Sequence, residues 1–357
     1  MKALSKEYPL FISLLSLVLF TIFEHKLADT PIGNIIGFLA LFAIIIYASL
    51  AVAHHAEMLA EKFGEPYGTL ILTMSAVTVE VMIIAIMMLH SQSPIMARDT
   101  IYSAIMLDIN GLLGISAIIG GLKFGEQPYN VDSSNSYMSM LLVAIGLSMV
   151  LPHFIDNVHH AIFMWFIVFV FILLYIVFTK VQLKNHKYFF EYIHEDEDIN
   201  QKQNNKEDIN GWYHSILLIA YILIIGFLSE VLSVFMSNML QNLGLPLALG
   251  AVGVALISAS PELIVAFRSA LRNNMQTVIN IALGASLATI LLTVPSVIII
   301  SAIAGLELNL AITPTQGFLL GLTLLVSVVN FNDGETNVLE GFLHFILFVV
   351  FSFMLFI

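Results

Sequence analysis

LILTMSAVTVEVMIIAIMML, residues 70–89, is long and apolar enough to cross a bilayer core as one helix, and its only ionisable side chain is Glu80. LALGAVGVALISASPELIVAF, residues 247–267, repeats the pattern around Glu262. A charged side chain at the centre of such a helix costs about 3 kcal/mol or more, so it is kept only where it has a function. The two glutamates therefore decide the reading of the chain: an all-α polytopic membrane protein with a paired ion site.

The rest of the composition agrees. Of 357 residues, 59% are hydrophobic and 11% charged, and the mean hydropathy is +0.94. Eleven transmembrane helices are expected, at 8–25, 31–60, 68–90, 99–121, 138–154, 160–181, 213–240, 244–268, 276–304, 312–330 and 338–357. The runs are continuous rather than alternating, which excludes a transmembrane β-barrel. The first run follows Lys2 and Lys6, but no small-residue cleavage site follows it, so it is read as a helix and not as a signal peptide. With no cysteine, disulfides, thiolate metal sites and thiol nucleophiles are excluded.

Eleven of the thirteen Lys and Arg residues fall on one side of this layout, and only Lys26 and Arg98 on the other. The positive-inside rule then puts the N-terminus in the cytoplasm and the C-terminus outside. The long hydrophilic segment, Lys184 to Gly211, lies on the cytoplasmic side. It carries the acidic run His194 to Asp198 with Glu191, Glu207 and Asp208, read as a solvated linker rather than a cation sensor. The organisation is 1 + 5 + 5: helix one in 1–30, a first five-helix repeat in 31–182, an acidic linker in 183–212 and a second repeat in 213–357. Because helix two starts outside and helix seven inside, the two repeats are inverted in the membrane, as in many secondary transporters. GEPYG, sixteen residues before Glu80, and GLPLALG, eighteen before Glu262, open corresponding helices.

Thr73, Ala76, Val77 and Ile84 share the helical face of Glu80, while small and hydroxylic residues, Ala255, Ser258, Ala259 and Ala266 among them, share that of Glu262. Pro261 cannot donate to the carbonyl of Ile257, which is thereby freed as an oxygen ligand beside a carboxylate. The alternative is a tolerated kink with close packing. In the following helices Asp108 and Asn110 lie about 200° apart and cannot both face one site. Asn110 and Ser286, at matching depths, are paired as neutral oxygen ligands, with Asp108 bonded elsewhere in the bundle; interhelical packing is the other reading of that pair. Glu57, in helix two, and Glu230, in helix seven, are candidates for a proton or cation pathway. His54 and His55 are read as an interfacial cap, His344 as a packed, satisfied histidine, and His153, Asp156, His159 and His160 as a solvated loop. No enzyme signature is present: no HExxH, GxSxG, phosphate loop or Walker lysine. No enzyme activity, cofactor or nucleic-acid partner is expected; the partners are metal cations, protons and the bilayer, and the oligomeric state stays open.

Three stretches, GEPYGTLILTMSAVTVEVMIIAIM (64–87), RDTIYSAIMLDINGLLG (98–114) and ISASPELIVAFRSALRNNMQTVINIALGASLATILLTVPSVI (257–298), resemble the calcium/cation antiporter superfamily, and within it the bacterial calcium/proton antiporter branch. The resemblance implies two inverted α-repeats in eleven helices and exchange of cytoplasmic Ca²⁺, Na⁺ or K⁺ for external protons across a bacterial inner membrane. It implies that Glu80 and Glu262 are the central carboxylates, that Asn110 and Ser286 occupy the polar positions of the next helices, and that Glu57 takes an acidic position 23 residues before Glu80. Glu230 matches more loosely. The chain also departs from the wider pattern. Gly-Asn commonly stands four and three residues before each glutamate, where this chain has Ala76 and Val77, and Ser258 and Ala259. The cation preferred is therefore open between Ca²⁺ and a monovalent ion, and a cation channel is the rival class.

Overall fold

The computed structural model describes residues 7–63, 67–156, 158–182 and 209–356. Most of the acidic linker, including the run at 194–198, lies outside the described residues. Helices dominate: α1 (Tyr8–Ala28), α2 (Pro31–Phe63), α3 (Tyr67–Ser91), α4 (Met96–Met106), α5 (Leu113–Phe124), α6 (Val131–Ile145), α7 (His160–Lys180), α8 (Gly211–Leu243), α9 (Ala248–Ala270), α10 (Met275–Ala288), α11 (Val294–Ala304), α12 (Pro314–Asn330) and α13 (Val338–Met354). α4 runs into α5 through a π-helical turn, Leu107–Leu112, and α10 into α11 through another, Thr289–Thr293. Each pair is thus one rod, and the rods number eleven among the described residues. Nine are long and apolar enough to cross a membrane; the other two, α12 and α13, are apolar helices of 17 residues.

The rods fall where the apolar runs put them, with one shift. The fifth begins at Val131, not at 138, because Asn130 caps it by accepting from the Ser133 amide and Ser133 and Ser134 are buried. A hydropathy window misses a first turn made of VDSSNS, since those side chains are satisfied by local hydrogen bonds rather than by apolar burial. The same rod ends in a π turn, Gly146–Val150, and a 3₁₀ turn, Leu151–Phe154.

Packing divides the chain differently from its sequence halves. One compact unit takes Met1–Met96 with Glu195–Pro261, the other Ala97–His194 with Glu262–Ile357, so each draws on both halves of the sequence and the boundary crosses α9 between Pro261 and Glu262. In the first unit α2 and α8, each of 33 residues, form the most extensive helix pair. At about 1.5 Å per residue each is some 50 Å long, well beyond a hydrocarbon core of about 30 Å. Gly37 lets α2 approach the Phe235 ring of α8 and Gly226 accommodates Met82 of α3; an added Cβ would come within 2.5 Å and 2.4 Å of those side chains respectively. α1 is peripheral: its only buried residues are Ser13 and Ser16.

In the second unit the α4–α5 rod is the core, with 78% of its apolar window buried against 6% for α1. α5 packs on α13, and α10 on α6. A two-residue antiparallel pair, Gln127 to Thr336 and Pro128 to Glu335, ties the segment after α5 to the one after α12. Gln127 then donates to the carbonyl of Ala270 (3.2 Å) and to Asn273 Oδ1 (2.9 Å), while Lys123 Nζ donates to the Leu271 carbonyl (2.8 Å), which satisfies the C-terminal end of α9. At the start of α4 a buried ion pair, Arg98 Nη2 to Asp99 Oδ1 at 2.8 Å, is completed by Gln316 Nε2 on the same oxygen and by the Ala311 carbonyl on Arg98. Arg98, which the charge count assigns to the outer side, is therefore a structural cation.

Candidate functional site

Glu80 sits midway along α3 and is 6% exposed, with Val77 and Ile84 buried one turn to either side. Glu262 is half-buried on α9, immediately after Pro261, and Ile257 one turn earlier is fully buried. The helix continues through the proline. Its hydroxyls turn back on their own helix: Ser258 donates to the Ala255 carbonyl (3.0 Å) and Ser260 to that of Leu256 (2.5 Å). A hydroxyl that donates in this way keeps its oxygen lone pairs, so Ser258 and Ser260 can still accept.

Ser286 and Asn110 are both fully buried, but they do not bond each other. Ser286 Oγ donates to Asp108 Oδ2 at 3.1 Å. Asn110 instead faces α12 and α13: Nδ2 donates to Thr323 Oγ1 (2.9 Å), and Oδ1 accepts from His344 Nδ1 (3.0 Å). Asp108 and Asn110 thus have different partners, and Ser286, expected beside Asn110, bonds Asp108 instead. The cause is the π turn, which holds both residues and whose wider winding resets the directions of the side chains that follow. No local feature of LDINGL announces it.

The directions of the Asn110 bonds are fixed by their neighbours. Thr323 Oγ1 donates to Met106 Sδ (3.7 Å), so it accepts from Asn110, and the Asn110 oxygen then needs a donor, which makes His344 the Nδ1–H tautomer. His344 is 1% exposed, lies parallel to the Phe331 ring, and its Nε2 has no hydrogen-bond partner among the described residues. The histidine read as satisfied is thus satisfied on one nitrogen, by the Asn110 amide oxygen.

Glu57 and Glu230 are both exposed, on α2 and α8. His54 is exposed as well, but His55 is not the cap the sequence suggests: it is 1% exposed and bonded on both ring nitrogens, to Glu7 and to His214. Sequence reading missed Glu7 because it lies just outside an apolar run, and missed its tyrosine partners because they are spread over α8. In the segment after α6, His153 bonds the Ile312 carbonyl and Asp156 pairs with His159 (2.7 Å), while all three residues stay exposed, as the solvated-loop reading has it. Among the described residues no three His, Cys, Asp or Glu side chains gather as a metal site.

A helical membrane protein with carboxylates inside its spans has the build of an ion-translocating protein. The sodium/calcium exchanger protein family matches residues 33–184 and 213–357, and the chain belongs to that family. It is 32% identical to the sodium-potassium/proton antiporter ChaA of Escherichia coli over 99% of this chain and 98% of that one. It is 24% identical to the Ca²⁺/H⁺ antiporter ChaA of Bacillus subtilis, over 64% and 66% of the two chains. The solved structure of native YfkE has the same fold, with a TM-score of 0.77 at 19% identity over 97% of this chain and 99% of that one.

Proposed function

We propose that this chain is a secondary antiporter of the bacterial inner membrane that exchanges cytoplasmic Ca²⁺, with Na⁺ or K⁺ as further cargo, for external protons at Glu80 and Glu262. The observation that carries the reading is Glu80: a carboxylate 6% exposed inside an apolar span, in a chain of the exchanger family. In apolar surroundings a carboxylate is stable as the neutral acid or as the anion beside a cation, and not as a bare anion. Two such groups take either two protons or one divalent cation. Competition between the two loads is the coupling, and the proton gradient supplies the energy.

Two further features support a pathway to these groups. Glu230 is exposed although it lies well inside the apolar α8, and a carboxylate there requires an aqueous surface rather than lipid. Glu57, exposed near the end of α2, suits the cytoplasmic mouth that the charge count assigns to that end. A monovalent cargo is the second reading. It is favoured by the full-length relative named for sodium and potassium and by the lack of amides at positions 77 and 259.

The test is proton flux in everted vesicles energised by respiration, with Ca²⁺, Na⁺ and K⁺ added in turn. The cation that dissipates the pH gradient names the cargo; if none does, proton coupling is wrong and the channel reading moves up.

In the same assay His344→Leu removes the donor to Asn110 Oδ1 in a fully buried place, where an unmet polar group costs about 1–3 kcal/mol. The expected result is an apparent KM for the cation raised roughly tenfold with a smaller change in maximal rate, and recovery in His344→Gln, whose amide can still donate. Equal KM values in the leucine and glutamine variants would show that orienting Asn110 is irrelevant to binding.

A further inference from the structure

The first unit holds a second set of titratable groups, none of which the exchange scheme uses. Glu7, at the start of α1, accepts from Tyr213 (2.7 Å) and Tyr221 (3.0 Å) of α8 and contacts His55 Nε2 of α2 (3.3 Å). The other nitrogen of His55, Nδ1, lies 2.9 Å from Nδ1 of His214 on α8. His55 is stacked on the Tyr221 ring, 5.6 Å between centroids, so its orientation is fixed. Among the described residues the remaining charged or titratable groups facing the imidazole pair are His54 and Lys62, both on α2.

The hydrogen-bond inventory of this chain of groups counts protons. A contact between two Nδ1 atoms needs one donor and one acceptor. With both rings neutral, His55 donates from Nε2 to Glu7 and accepts on Nδ1 from His214. With one proton added, imidazolium His55 donates from both nitrogens, to Glu7 and to His214, and the contact survives with a stronger bond to the carboxylate. With two added, both Nδ1 atoms carry hydrogen and charge, and the 2.9 Å contact cannot persist. Glu7 remains an anion throughout this range. Burial acts to raise its carboxyl, but the hydrogen bonds from Tyr213 and Tyr221 and the charge of His55 outweigh that and hold it below the usual carboxylate range. Its contribution is therefore present above the ordinary carboxylate range and is lost as pH falls through its lowered value.

We propose that Glu7, His55 and His214 form a proton-binding site, distinct in its residues from the exchange carboxylates, that holds α2 against α8 while it carries at most one proton on its two imidazoles and opens that joint when it takes the second. The joint is placed to matter, since α2 and α8 form the most extensive helix pair of their unit and α1, which supplies Glu7, has little other buried surface to fasten it.

The native chain has no cysteine, so a single introduced thiol reports on the joint without further engineering. Ala56, beside His55, is 1% exposed, and Glu61 on the same helix is exposed. Maleimide labelling of the full-length protein carrying Ala56→Cys, normalised to Glu61→Cys, is followed from pH about 7.5 to about 4, because a second charge beside the first binds well below the ordinary histidine value of about 6.5. The normalised rate, from which the intrinsic fall in thiolate reactivity cancels, is expected to rise roughly tenfold on acidification. Adding His214→Gln, which cannot take a proton, should abolish the rise, while adding His214→Lys, whose fixed charge stands for one of the two protons, should leave the joint closed at pH about 7.5 and keep a rise on acidification as His55 takes the second charge. A flat profile in Ala56→Cys alone, or a rise that persists with His214→Gln, overturns the proposal. Because no transport is measured, the outcome is independent of the exchange reading.

Discussion

In vesicles containing Glu262→Gln, added cation leaves the pH gradient standing. Glutamine keeps the size and the hydrogen-bonding oxygen of glutamate, so the helix around Pro261 and the half-buried position are preserved. What disappears is the ability to alternate between neutral acid and anion. If proton and cation compete for this carboxylate, the variant has nothing to exchange, and flux falls by at least about a hundredfold, or ~2.7 kcal/mol at 1.36 kcal/mol per decade. Glu80→Gln is expected to give the same result, because a divalent cation needs both charges. The double variant should be no worse than either single one, as residues acting as a unit are not additive. Size-exclusion profiles matching wild type separate a lost site from a lost fold. Flux within tenfold of wild type in either single variant, with protein present and monodisperse, would sink the scheme. Glu57→Gln, at an exposed position, should slow exchange without ending it.

The distinction between a buried and an exposed carboxylate was only partly readable in the chain. Hydropathy finds every helix because a span must be apolar over its whole length, and Glu80 and Glu262 stand out since nothing else in their runs can ionise. The same logic fails for groups that hydrogen bonds place. Asp108 and Asn110 follow a winding that changes inside the helix, and the bond from Ser286 to Asp108 depends on that change. Glu7 meets His55, Tyr213, His214 and Tyr221 across separations of 48 residues or more to the partners it bonds directly. Arg98 reads as a loop cation, yet it is 7% exposed, because Asp99 and the Ala311 carbonyl replace its water. Periodicity reports the face a residue shares with its own helix; it does not report what another helix brings to that face.

One such meeting, between α5 and α13, sets backbone against backbone, and it yields the second large effect. A Cβ added to Gly341 would lie 2.7 Å from the Ile118 amide nitrogen and 2.8 Å from the Gly114 carbonyl oxygen, and one added to Gly114 would lie 2.9 Å from the Phe345 nitrogen. These obstacles are backbone, so no rotamer change relieves them and the helices must separate. Overpacking of this kind costs about 3 kcal/mol or more. For a unit of this size, that predicts a Tm in detergent lowered by roughly 6–12 °C in Gly341→Val. The consequence reaches the polar centre, because His344 lies one turn beyond Gly341 and its bond to Asn110 depends on the same close approach. Gly341→Val should therefore lose cation affinity along with stability. Gly321→Ala is the matched comparison: on α12 an added Cβ meets nothing within 4 Å, and the lower backbone entropy of alanine in a helix should leave Tm unchanged or raise it. A valine at 341 that melts like wild type would mean the α5–α13 contact is not the constraint that holds Asn110 in place.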